Sequence, residues 1–170
     1  MNTRLITLSL IIFSIAMFRL LPHPPNVSPV AAMALFGGAY FSDKRIAFLV
    51  PFLALLLSDF MLGLHDTMVY VYAGFALTVV IGFWLKTNMN IGRITLAVVG
   101  SSILFFIISN FGAWFTSGLY PMTLDGLMQA YVAAIPFFQN SLLGNLVFTA
   151  LLFAGFAVLK RNVSVLAENA

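Results

Sequence analysis

The sequence contains no cysteine, which removes disulfides, thiolate metal sites and cysteine nucleophiles together. Charge is also scarce. Lys, Arg, Asp and Glu make up 8% of the 170 residues, against about 25% in soluble domains. A chain this poor in charge cannot cover a water-facing surface with polar groups, so lipid is the implied solvent. Catalytic signatures are missing as well. There is no GxxxxGK[ST] run, which excludes Walker-type ATP hydrolysis. There is no HExxH, no GxSxG and no carboxylate pair suggesting glycosidase chemistry. Two histidines without cysteine make a weak metal case. No enzymatic activity, cofactor or metal is expected.

What is present is apolar: 62% of the residues are hydrophobic. The net charge of +3 comes from basic residues scattered between apolar runs, a pattern that sets membrane orientation and not nucleic-acid binding. A spanning helix needs about 20 apolar residues. The candidate spans are Leu5–Leu21, Pro29–Phe41, Ile46–Leu64, Met68–Leu85, Ile94–Trp114 and Ser141–Leu159. The expected fold is an all-α transmembrane bundle of about six spans, a single integral membrane domain over residues 1–170. Pro29–Phe41 is short, and whether it fully spans is left open. Its small residues, with Ala34 and Gly38 one helical turn apart, suit close helix packing better than lipid exposure.

Arg4, Leu5–Phe13 and Ser14-Ile15-Ala16 have the order of a signal peptide, but the apolar run continues through Phe18 without a polar cleavage region. The segment is therefore expected to remain as the first span. With six spans, Arg4, Lys44, Arg45, Lys86, Arg93, Lys160 and Arg161 all fall on one side. The positive-inside rule makes that side cytoplasmic, with both termini on it. A five-span chain with its N-terminus outside would still place most of these cations inside. The segment Thr116–Asn140 then lies outside. Within it, Gly126–Phe138 reads as a short helix on the bundle mouth, and Gly118, Pro121, Gly126 and Pro136 would let it hinge as a lid.

Most polar residues in or beside the spans gather toward the outer half, as a cavity opening outward would require. Arg19 and Asp59 are the sharpest pair, because an ionisable group in an apolar helix usually faces the interior or pairs. They are expected to be coupled. Arg19 could equally snorkel to the interface while Asp59 caps or pairs structurally. Ser102, Phe106, Asn110 and Trp114 recur every four residues, as do Ser141, Asn145 and Thr149, so each set shares a helix face. These faces suit interhelical hydrogen bonds or, at Asn110, Trp114 and Ser141, a ligand. The proline-rich run Leu21–Asn26 makes a stiff turn that would hold His23 and Asn26 at the outer mouth. The expected pocket has Trp114, Tyr131, Phe137 and Phe138 as walls. Arg19, His23, Asn26, Asp59, Asn110 and Asn140 would be its polar contacts. The aromatic residues could instead form an interfacial belt.

Arg19-Leu20-Leu21-Pro22-His23-Pro24-Pro25-Asn26, Ala32–Gly38, Ser58-Asp59 with Leu62-Gly63, and Ser109-Asn110 with Trp114 form a distinctive series. With Tyr131, Pro136-Phe137-Phe138 and Asn140, they resemble a bacterial family of small uncharacterised membrane proteins assigned to transport. The resemblance covers nearly the whole chain. By size, span count and outward polar face, the chain also loosely resembles the S components of energy-coupling factor (ECF) vitamin transporters. That likeness implies a substrate-binding protein which captures a vitamin-like small molecule from the outer face. A separate ECF-type transmembrane subunit with ATPases would then drive uptake. Cobalamin-type S components hold cobalt through a cysteine, which this chain lacks, leaving only His23 or His65 for that role. The alternative is an accessory or structural subunit of a larger membrane complex, whose polar face meets a protein.

Overall fold

A computed structural model describes residues 3–163 and Leu166. Helix α1 (Thr3–Ala16) runs on through a 3-10 turn, Met17–Leu20; α2 (Val30–Tyr40), α3 (Lys44–Leu62) and α4 (Met68–Leu85) follow. Then come α5 (Ile91–Ser117) and α6 (Leu124–Asn162). No strand occurs among the described residues. Thr3–Leu20 and α3 to α6 give five helices long and apolar enough to cross a membrane.

Their polarity is arranged for lipid. Leu49, Leu53 and Leu57 on α3, and Leu143, Val147 and Leu151 on α6, are exposed at four-residue spacing, while Ser58, Asp59, Ser102, Asn145 and Thr149 are buried. A bundle in water would reverse this order. In lipid, polar groups must find partners inside.

Helix α2 is the hub. All eleven of its residues are buried, which explains why it shows no polar face: a helix surrounded by others has no side to leave polar. It meets α4 backbone to backbone at Gly38 and Gly82. A Cβ on Gly82 would lie 2.6 Å from the Leu35 carbonyl oxygen and 2.8 Å from Gly38 Cα. Pro51, inside α3, takes the place left by Gly37, whose Cβ would fall 2.6 Å from the proline ring. Toward its C-terminus, α2 packs Phe36 and Tyr40 edge-on against Phe156.

The helix ends sort into two groups. Arg4 donates to the Tyr40 carbonyl (3.3 Å) and Lys86 to that of Phe41 (3.0 Å). This basic end therefore gathers the start of α1, the end of α2 and the end of α4. Asp43 caps α3 there, accepting from the Arg45 amide at 2.6 Å. At the opposite, polar end, Asn140 donates to the Pro25 carbonyl (3.1 Å). Helix α2 returns the chain to the basic end, but its eleven residues span only about 16 Å. The bilayer core is about 30 Å thick. Helix α2 is therefore too short to cross such a core alone.

Helix α6 differs from expectation. The sixth span and the lid-like segment before it form one helix of 39 residues, about 58 Å long. Thr123 caps its start by accepting from the Gly126 amide (3.2 Å). Pro136 lies inside it, at the cost of one backbone hydrogen bond. Gly118, at φ 67°, ends α5 in the left-handed conformation that glycine takes most easily.

Candidate solute-binding site

The site begins where α1 stops. Leu21 precedes a proline and is extended at φ −85° and ψ 151°, because the proline ring disfavours helical geometry in the residue before it. The last helical residues tighten into the 3-10 turn that carries Arg19. From there the guanidinium reaches α3. It bonds to Asp59 Oδ1 at 2.7 Å, to Ser58 Oγ and to the Leu55 carbonyl at 3.4 Å. Tyr72 of α4 donates to Asp59 Oδ2 at 2.9 Å. Each Asp59 oxygen thus has a donor, and the residue is buried. The expected Arg19–Asp59 coupling is present, and it ties the end of α1 to α3 and α4.

The chain next turns at Pro24–Val27, with the Val27 amide donating to the Pro24 carbonyl at 3.1 Å. Pro25 takes the second position and Asn26 the third, at φ 63°. This is the pattern of a type II turn, where asparagine is among the few residues tolerating positive φ. The turn is pinned to α6 by Asn140 and by Gly144. A Cβ there would come within 3.2 Å of Val27 Cα.

Because α2 starts only at Val30, space remains between its N-terminus and the polar end. A cavity of about 200 Å³ occupies it, bordered by Arg19, Asn26, Ser28, Val30, Ala31 and His65, with Val71, Phe105, Ser141 and Asn145. A second cavity of about 120 Å³ shares Asn26, Phe105, Ser141 and Asn145 with it. This one extends between α5 and α6 to Ser109, Asn110, Phe137 and Phe138. Together they form a cleft with apolar walls and converging amide and hydroxyl groups, the usual make-up of a small-molecule site.

Of the residues expected at the pocket, Arg19, Asn26, Asn110, Phe137 and Phe138 line this cleft. The others lie outside the lining. Asp59 sits behind Arg19, buried and fully engaged. His23 bonds the Leu21 carbonyl through Nδ1 (2.6 Å) and lies against Phe18. Asn140 holds the turn. Tyr131 donates to the Ile107 carbonyl (2.8 Å) and packs on Phe106, fastening the start of α6 to α5. Trp114 donates to the Pro121 carbonyl (2.9 Å) and lies beside Phe111 and Phe115. Both of those rings are exposed, so this aromatic group has the character of a belt.

Ser28, Phe105 and Val71 border the cleft without any signal in the sequence. Ser102, Ser141 and Asn145 do carry one, the four-residue stripes. Asn145 Nδ2 donates to Ser102 Oγ at 3.0 Å between α6 and α5, so this pair serves as interhelical glue while also bordering the cleft. No group of three or more metal-binding side chains occurs among the described residues.

The chain belongs to a family of unknown function, DUF6580, whose sequence profile matches residues 1–166. No curated protein and no solved structure matches it.

Proposed function

We propose that this protein captures a small solute at the outer face of a bacterial inner membrane, as the substrate-binding component of an uptake system. One observation carries the reading: the polar end of the bundle holds an unfilled cleft into which Arg19, Asn26, Asn110 and Asn145 converge. An accessory subunit would have its side chains close that space. The cations Arg4, Lys44, Arg45, Lys86, Arg93, Lys160 and Arg161 support placing the basic end in the cytoplasm, which turns the cleft outward.

The two cavities of the cleft, about 200 and 120 Å³, together reach only the lower end of the roughly 300–1,000 Å³ of typical ligand pockets. The solute is therefore small, or else the start of α6 moves about Pro136 to admit a vitamin-sized one. With no phosphate-binding loop in the chain, concentrative uptake would draw on a separate membrane subunit with ATPases, as in ECF transporters.

The test uses the absence of native cysteine. In intact cells, Ser141→Cys should react with a membrane-impermeant thiol reagent, as should Thr123→Cys. An unreactive Ser141→Cys beside a reactive Thr123→Cys, in a folded protein, would count against an outward-opening cleft.

A further inference from the structure

Of the residues that border the two cavities of the cleft, only Arg19 and His65 are ionisable. Arg19 is neutralised by Asp59 at 2.7 Å, and His65 bonds Thr67 Oγ1 through Nδ1 at 2.8 Å. A charged solute entering here would give up its water and find no counter-ion. Burying an unpaired ion costs far more than burying an amide or a hydroxyl that finds a partner. The cleft therefore selects against charge.

What it offers is neutral hydrogen bonding. Asn145 is 6% exposed and borders both cavities. One end of its amide pairs with Ser102 Oγ at 3.0 Å. The other end has no partner among the described residues and is not sealed in by packing, so it faces the cleft. This holds whichever way the amide is turned, because one polar atom meets Ser102 and the other is left over. Ser141 lies one helical turn earlier on α6, beside Asn145, and borders both cavities too. Its hydroxyl bonds to no described residue, although a helical serine can bond back to the carbonyl four residues before it. From the turn, the Asn26 amide borders the same space and is likewise unbonded. Phe105 borders both cavities, and Phe137 and Phe138 border the smaller one.

We propose that the cleft takes an uncharged planar ring that carries an amide, either within the ring or attached to it. The proposal rests on the solute-binding reading and narrows its substrate class. An amide presents a donor and an acceptor side by side, matching the free groups of Asn145, Ser141 and Asn26. The phenyl side chains favour a flat aromatic body over an aliphatic one. Cavities of about 200 and 120 Å³ suffice for one ring, since a cavity of about 150 Å³ holds benzene.

The test follows thermal unfolding of the detergent-solubilised protein with benzamide, nicotinamide and uracil. The carboxylates benzoate, nicotinate and orotate are run beside them, with acetamide as an amide without a ring. At least one ring amide should stabilise the protein saturably, with an apparent affinity about tenfold or more above those of its carboxylate and of acetamide. Ser141→Ala and Asn26→Gly break no side-chain hydrogen bond within the described residues, and glycine accepts the φ of 63° at position 26. Both should fold, and each should weaken that amide several-fold. Equal or tighter binding of the carboxylate, unchanged affinity in both variants, or no response to any ring amide at millimolar concentration would overturn the assignment. A charged or non-aromatic solute retained by the wild type and lost in Asn110→Ala would overturn the ring amide while leaving the solute-binding reading standing.

Discussion

Replacing Asp59 by Asn keeps the side chain's shape and removes its charge. Arg19 is then left inside the bundle without a counter-ion, its side chain 14% exposed, against 2% for Asp59. Breaking a buried ion pair from one side costs about 3–5 kcal/mol. Ser58 and Leu55 still accept from the guanidinium, so a loss near the lower end, about 3 kcal/mol, is expected. Tyr72→Phe removes only the bond to Asp59 Oδ2 and should cost less, about 1.5 kcal/mol, because Arg19 still neutralises the carboxylate. Converting the pair to Arg19→Met/Asp59→Leu removes both charges together. The double variant should be at least about 2 kcal/mol more stable than the sum of its single variants predicts. Equilibrium unfolding in mixed micelles, followed by far-ultraviolet circular dichroism, measures all five variants, the two singles of the cycle included. A loss below about 1 kcal/mol for Asp59→Asn, or additivity in the double variant, would refute a coupled pair.

Gly82→Leu drives a side chain into the α2 backbone at Leu35 and Gly38. It should prevent folding to a monodisperse species in size-exclusion chromatography, whereas Gly100→Leu, in open space, should not. Asn140→Ala removes the clip to the Pro25 carbonyl and should cost about 1 kcal/mol by the same unfolding assay. Asn110→Ala should lose a solute that co-purifies with the wild type, and Trp114→Ala should keep it, because only Asn110 borders the cleft; mass spectrometry of extracts from the purified proteins reads both. In intact cells Asn88→Cys should be protected from an impermeant thiol reagent and Asp66→Cys labelled; the reverse pattern would invert the orientation.

The legible features were those for which the physics leaves few choices. Apolar runs long enough to span became helices, and Met68–Leu85 kept its bounds. Arg19 and Asp59 pair, one of the two outcomes open to ionisable groups near the ends of apolar helices. The small residues of the second apolar run suited close packing better than lipid exposure, and α2 is buried throughout. Helix α6 was harder to read. Asp125, Gln129 and Pro136 break its apolar run, yet the helix continues through them, held to α5 by Tyr131 and Trp114. Those same bonds turn Tyr131 and Trp114 from pocket walls into fastenings. The cleft itself was legible only in part. Its position follows from α2 starting late and from the turn at Asn26, so Ser28, Val71 and Phe105 reach it through tertiary packing that no spacing in the chain records.

Native mass spectrometry of the wild-type protein, released from mild detergent, tests the solute-binding claim most directly. The account predicts the mass of the chain plus one small solute, and the bare chain for Asn110→Ala. A wild type that carries nothing but lipid, both as purified and after incubation with a metabolite extract, would contradict it.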